Sequence, residues 1–153
     1  MKFGGCSAVV AITGVFLCLS AYAQTPAGRA ERELLASANQ ARQAQGLAPL
    51  KWDEGLAAAA RRHAELMARH NAAEHGFDGE SSLPSRARQA GAHFTWLSEN
   101  VTQGTTAESI HSAFMKSASH RANILDGDMD SIGVGVAEQN GQLFAVEDFA
   151  KAR

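Results

Sequence analysis

The sequence predicts a single α+β domain. Two features carry that expectation. Apolar residues recur at helical spacing through most of the chain, and near the end the period changes to strict alternation. There Ile132, Val134 and Val136 alternate with Gly133, Gly135 and Ala137, and Asn140-Gly141 follows as a two-residue hairpin turn. Length agrees: 153 residues, 45% hydrophobic and 20% charged, make one globular domain rather than a disordered chain. The charge balance is close to neutral, with 14 Lys and Arg against 16 Asp and Glu. That leaves no basic excess for neutralising phosphates and excludes nucleic acid as a partner bound through bulk charge.

Residues 1–23 read as an address. Lys2 gives a positive start, an apolar run extends from about Ala8 to Leu19, and Ala21-Tyr22-Ala23 forms a small-residue cleavage pattern. The run is short of the roughly 20 residues a membrane span needs. Leu17 before Cys18 does not suit a lipoprotein site. A signal peptide cut after Ala23 is expected, and with it a secreted or periplasmic protein with no transmembrane segment once mature. The chain's two cysteines, Cys6 and Cys18, both fall in the removed piece. The mature domain would then hold no disulfide, no thiolate nucleophile and no Cys-bound metal. It would also lose Lys2 and no acid, for a net charge of −3.

Each element has its own signal. Residues 24–29 read as a flexible lead, and one domain is expected from Ala30 onward. Leu34, Leu35, Ala38 and Ala41 predict a helix over Glu31–Gln45, stopped by Gly46. Asp53 is a good N-cap for a second helix reaching about His70, on which Leu56, Ala60, His63, Met67 and His70 share a stripe. A short helix is expected over Pro84–Ala90, ended by Gly91. Thr105-x-x-Glu108 suggests a capping box for a helix to Lys116, and a further turn is expected at Ser119–Ile124. The return strand is placed at Gln142–Phe149. His93–Trp96 and Ser98–Thr102 compete as a third strand. Gly133 and Gly135 lack the helix of a dinucleotide site and read as close backbone packing.

Six histidines stand at positions 63, 70, 75, 93, 111 and 120. No HExxH motif is present. His63 and His70 fall on the apolar stripe and read as packed residues; His93 and His111 read as surface or loop residues. His75, Glu99 and His120 lie in three separate connecting segments. Together they could ligate a divalent metal with open positions, or form an acid–base pair around a water. Spacing alone does not bring them together. No Gly-x-Ser-x-Gly turn and no phosphate loop occur. Met67, Phe77, Phe94 and Trp96 read as core, with an apolar groove as the alternative.

Taken in order, the motifs resemble the CAP superfamily, the SCP-like domain of cysteine-rich secretory, antigen 5 and pathogenesis-related 1 proteins, in its short bacterial branch. The matching pieces are Asn39-Gln40-Ala41-Arg42, Leu50-Lys51-Trp52-Asp53, His75, Arg86–Gly91 and Ser98-Glu99-Asn100-Val101. They continue with Phe114–Leu125, which contains Ser119-His120-Arg121-Ala122-Asn123, then with Ile132–Val136 and Glu147-Asp148-Phe149. The resemblance implies a three-layer α-β-α sandwich with a small antiparallel sheet. It implies a central cleft of two histidines and two acids that binds a divalent metal such as Zn2+ in some relatives. His75, Glu99 and His120 map onto three of those positions. The fourth falls on Ser117, so a triad replaces a tetrad, and Asn100 completes the expected cleft. His75 and His120 are the expected metal ligands.

The function expected is that of a secreted, non-enzymatic CAP protein. Its ligand, a lipid, small molecule, extracellular protein or divalent metal, would bind at this cleft, and a monomer is expected. The competing expectation is a metal- or His-dependent hydrolase of envelope or extracellular peptides, with His75 or His120 as base.

Overall fold

The computed structural model describes residues 25–153; the expected signal peptide, its cleavage site and both cysteines lie outside the described residues. The elements run α1 (Pro26–Ala44), β1 (Lys51–Trp52), α2 (Glu54–His70), α3 (Leu83–Gln89), β2 (Phe94–Gly104), α4 (Ala107–Lys116), α5 (Ala118–Ile124), β3 (Ser131–Gln139) and β4 (Gln142–Ala152). They form a three-layer α-β-α sandwich around a four-stranded sheet ordered β1-β3-β4-β2. The sheet is mixed rather than wholly antiparallel. The long strands pair antiparallel, and the two-residue β1 joins β3 in parallel.

Alternation along the strands sorts the layers. Val134, Val136 and Phe149 face α1 and α4, packing on Leu34, Ala38, Ile110 and Phe114. Phe144 and Val146 face α2, against Ala60, Ala64 and Met67. Gly133 and Gly135 are what let α2 lie so close to the sheet. A Cβ at Gly133 would fall 2.1 Å from the Ala57 nitrogen, and one at Gly135 would fall 2.2 Å from the Ala60 carbonyl carbon. The expectation of close backbone packing there holds. Asn140 and Gly141 both take positive φ, 53° and 75°, as a hairpin turn matched to strand twist requires.

Several boundaries differ from expectation. The first helix starts at Pro26, capped by Thr25, so residues 26–29 are its first turn and not a flexible lead. Proline's missing N–H costs nothing there. The box on α4 uses Thr106 and Ser109, one residue later than Thr105 and Glu108, with serine replacing the acid. The two competing third-strand segments are one strand, β2, with an irregularity between Phe94 and Trp96.

Charged staples bind the layers. Arg42, 1% exposed, donates to the carbonyls of Ala48, Ile124, Asp126 and Met129 at 2.8–3.1 Å, tying α1 to the end of α5 and the turn before β3. The Asn39 amide exchanges two hydrogen bonds with the Leu50 backbone. Glu31, also buried, accepts from Arg61 on α2 and from the Val136 N–H on β3.

Candidate functional site

The site forms where the α2–α3 connection, β2 and α5 meet. Register sets its plan. Glu99 pairs with Asp148 across β2 and β4, and Asn100 pairs with Glu147. Successive side chains point to opposite faces, so Glu99 and Asp148 lie on the α2–α3 side and Asn100 and Glu147 on the α4–α5 side.

On the first side, the His75 Nδ1–H donates to Glu99 Oε1 at 2.8 Å. The other oxygen of Glu99 is held by Arg86 on α3. Glu99 is nearly buried, while the His75 side chain is 62% exposed. With Nδ1 committed, Nε2 of His75 remains as the free acceptor. Asp148 lies below, fully buried, with neither oxygen hydrogen-bonded among the described residues. Burial pushes it up to about 7 despite the nearby Arg86.

On the second side, Asn100 links three groups. Its Nδ2 donates to the His120 carbonyl at 3.1 Å and to Glu147 Oε2 at 3.2 Å, and its Oδ1 accepts from Asn123 at 2.8 Å. The Asn123 amide also reaches the Glu99 carbonyl. The His120 ring meets Phe114 edge-on at 5.3 Å. Partial burial, and then the charge of His75 when protonated, hold His120 below the usual histidine value. Ser117 caps α5: its hydroxyl accepts from the His120 N–H at 3.5 Å and shares a hydrogen bond with Ser119 at 3.1 Å.

The other histidines sort differently. His63 is fully buried with both ring nitrogens bonded. His70 is exposed and stacks on Phe77 at 4.4 Å, so it is not a core residue. His111 is partly buried and burial lowers its pKa. The four apolar residues weighed as a groove divide. Met67 is core with Phe77 against it, Phe94 packs with Leu56 and Ala87, and Trp96 is exposed.

The model of the CAP, or cysteine-rich secretory protein, family matches residues 35–149. The chain belongs to the CAP family. Every site residue described above lies inside the matched CAP region. The Bacillus subtilis (strain 168) protein YkwD is 34% identical to the CAP chain over 122 residues, covering 79% of this chain and 47% of YkwD. Among solved structures, an extracellular SCP-domain protein from Bacillus anthracis has a TM-score of 0.76 at 22% identity, over 82% of this chain and 41% of that one. An outer surface protein from Borrelia burgdorferi has a TM-score of 0.74 at 20% identity, over 82% of this chain and 94% of that one. The CAP chain thus spans less than half the length of YkwD and of the Bacillus anthracis protein. No helix among the described residues is long and apolar enough to cross a membrane.

Four groups beside His75, Glu99 and Asn100 carry no signal in the sequence: Glu80, Arg86, Glu147 and Asp148. Three of them sit in motifs that match the family, yet nothing in the local pattern marks them as buried charges. Glu80 has no local signal at all.

Proposed function

We propose that this CAP domain is an exported, non-enzymatic binding module whose ligand site is the cleft of His75, Glu99 and His120. The observation that carries the reading is the Glu99-bound His75 ring. One nitrogen is fixed by a buried carboxylate and the other is left open to solvent, beside a second imidazole held below its usual pKa. Such a pair is built to accept something. The names of two structural neighbours, an extracellular and an outer surface protein, support export.

The donor set limits what a metal could do here. Both oxygens of Glu99 are already taken, by His75 and by Arg86. Ser117 offers no charge where the resemblance implies an acid. Among the described residues, no three His, Cys, Asp or Glu side chains are grouped to hold a metal ion. Two imidazoles supply at most two protein ligands, short of a closed four-ligand site, so a Zn2+ held by them would need water to complete its shell. His75, through Nε2, and His120 would hold the ion, which when bound would supply Lewis-acid attraction for an electron-rich ligand group. Glu99 orients His75, and burial keeps His120 neutral to lower pH.

One observation favours a second reading. A carboxylate-bound imidazole is also the arrangement of a general base. A water would have to be the nucleophile, because the Ser117 and Ser119 hydroxyls bond to each other and neither is bonded to an imidazole. Calorimetry with Zn2+ separates the cases. Binding at neutral pH is expected, weakening as pH falls because protons compete for the ring nitrogens. It should vanish in the His75→Ala/His120→Ala double variant. No binding, or binding unchanged in that variant, refutes the cation site. Peptide or ester cleavage that is lost in His120→Ala would establish the hydrolase instead.

A further inference from the structure

We propose that His63, Glu80 and Arg86 are positioning residues of the cleft: a buried polar relay that fixes where His75 stands. The proposal rests on the reading of His75 as a ligand-binding residue and extends it to groups that touch no ligand.

The connection from Asn71 to Ser82 carries His75 and has no helix or strand of its own. Its polar ties come largely from these three side chains. His63 on α2 bonds Glu80 Oε1 through Nδ1 at 2.7 Å and the Glu74 carbonyl through Nε2 at 2.8 Å. Glu80 accepts the Phe77 N–H on its other oxygen at 3.2 Å and lies 3.7 Å from Arg86. Arg86 donates to the His75 carbonyl at 3.3 Å and to Glu99, which holds the His75 ring. The path His63–Glu80–Arg86–Glu99–His75 is therefore continuous. It grips the backbone on both sides of His75 and then the ring itself.

Burial makes this costly. The His63 side chain is fully buried, and those of Glu80 and Arg86 are 9% and 8% exposed. Buried ion pairs contribute little net stability, because desolvation offsets their attraction; in this proposal their contribution is one defined geometry for the connection. Phe77 and Ala73 anchor the connection on the core beside Met67, and Phe77 also stacks on exposed His70 and touches His63 at a tilt; none of these contacts reaches the His75 ring. Through Arg86 the relay also keeps Glu99 committed to orienting His75.

The test reads the His75 ring in Zn2+-free protein, so it does not depend on whether a cation binds. In ring-15N-labelled wild type, His75 should show a slowly exchanging Nδ1–H and an unprotonated Nε2. Glu80→Gln and His63→Gln should each abolish that signature and raise amide exchange at Phe77 by about tenfold or more, while α1 and β3 amides remain protected. The double variant should be no worse than either single one, because the residues act as one unit. Arg86→Lys, which keeps the charge, should retain part of the signature. If Glu80→Gln does not fold, His63→Gln, which cannot bond Glu80 and the Glu74 carbonyl from opposite ends as the ring does, carries the test. A His75 signature that persists in folded Glu80→Gln or His63→Gln overturns the proposal and leaves the relay as a purely structural network. Absence of Zn2+ binding in wild type would refute the cation site and leave this result standing.

Discussion

Glu147 offers a quantitative test of how the cleft is supported. Its carboxyl is fully buried on β4, Oε2 accepts one N–H from Asn100, and Oε1 has no partner among the described residues. Burial pushes the acid from 4.5 up to about 8. An acid raised in the folded state holds its proton there more tightly than when unfolded. It therefore destabilises the fold increasingly as pH rises from the unfolded value to the folded one, and by a constant amount above that. At about 1.4 kcal/mol per pH unit, the gap corresponds to about 5 kcal/mol at full ionisation. Glu147→Gln keeps the shape and the acceptor for Asn100 and removes the titration. Urea unfolding of both proteins at a series of pH values should give similar stabilities near the ordinary carboxylate pKa. The curves should then diverge until the variant is the more stable by several kcal/mol at about pH 9. A difference that stays flat across that range would refute the assignment of Glu147 as a buried, proton-holding acid.

Further outcomes follow from the packing. Arg42→Met deprives four carbonyls of their common donor and should cost about 3 kcal/mol or more in denaturant unfolding, despite the near-equal size of the side chain. A loss below about 1 kcal/mol would show that water replaces the guanidinium. Gly133→Ala should be severe, above about 4 kcal/mol or preventing folding, because the added methyl meets α2 backbone that cannot move aside. Gly141→Ala meets no atoms and only strains a positive φ, so thermal unfolding should register about 1–2 kcal/mol. Equal losses at the two glycines would contradict the close approach of α2 to the sheet.

Most of the fold was legible because its signals are local. The period change before Asn140-Gly141, the Asp53 cap and the Ala-rich stripe of α2 each act within a few residues. The parallel pairing of β1 was not legible, since two residues carry no periodicity. The first turn of α1 was not legible, because residues 24–29 read as a flexible lead, whereas Thr25 caps a helix that begins at Pro26. The site divides the same way. His75, Glu99 and His120 were identified through family resemblance, and the direct bond between His75 and Glu99 gives that grouping a geometry. Arg86, Glu80 and Asp148 were not, because each is a common surface residue type whose burial depends on three segments converging. His63 was read as packed, and it is, but its role in holding Glu74 and Glu80 needs the tertiary fold.

The most direct test of the central claim is a Zn2+ titration followed on the imidazole nitrogens of the ring-15N-labelled protein near neutral pH. The account predicts that the Nε2 signal of His75 and the ring signals of His120 move first and together, while His63 stays fixed. First movement at exposed His70 or His93, or no movement at any ring, would contradict a binding site built from His75 and His120.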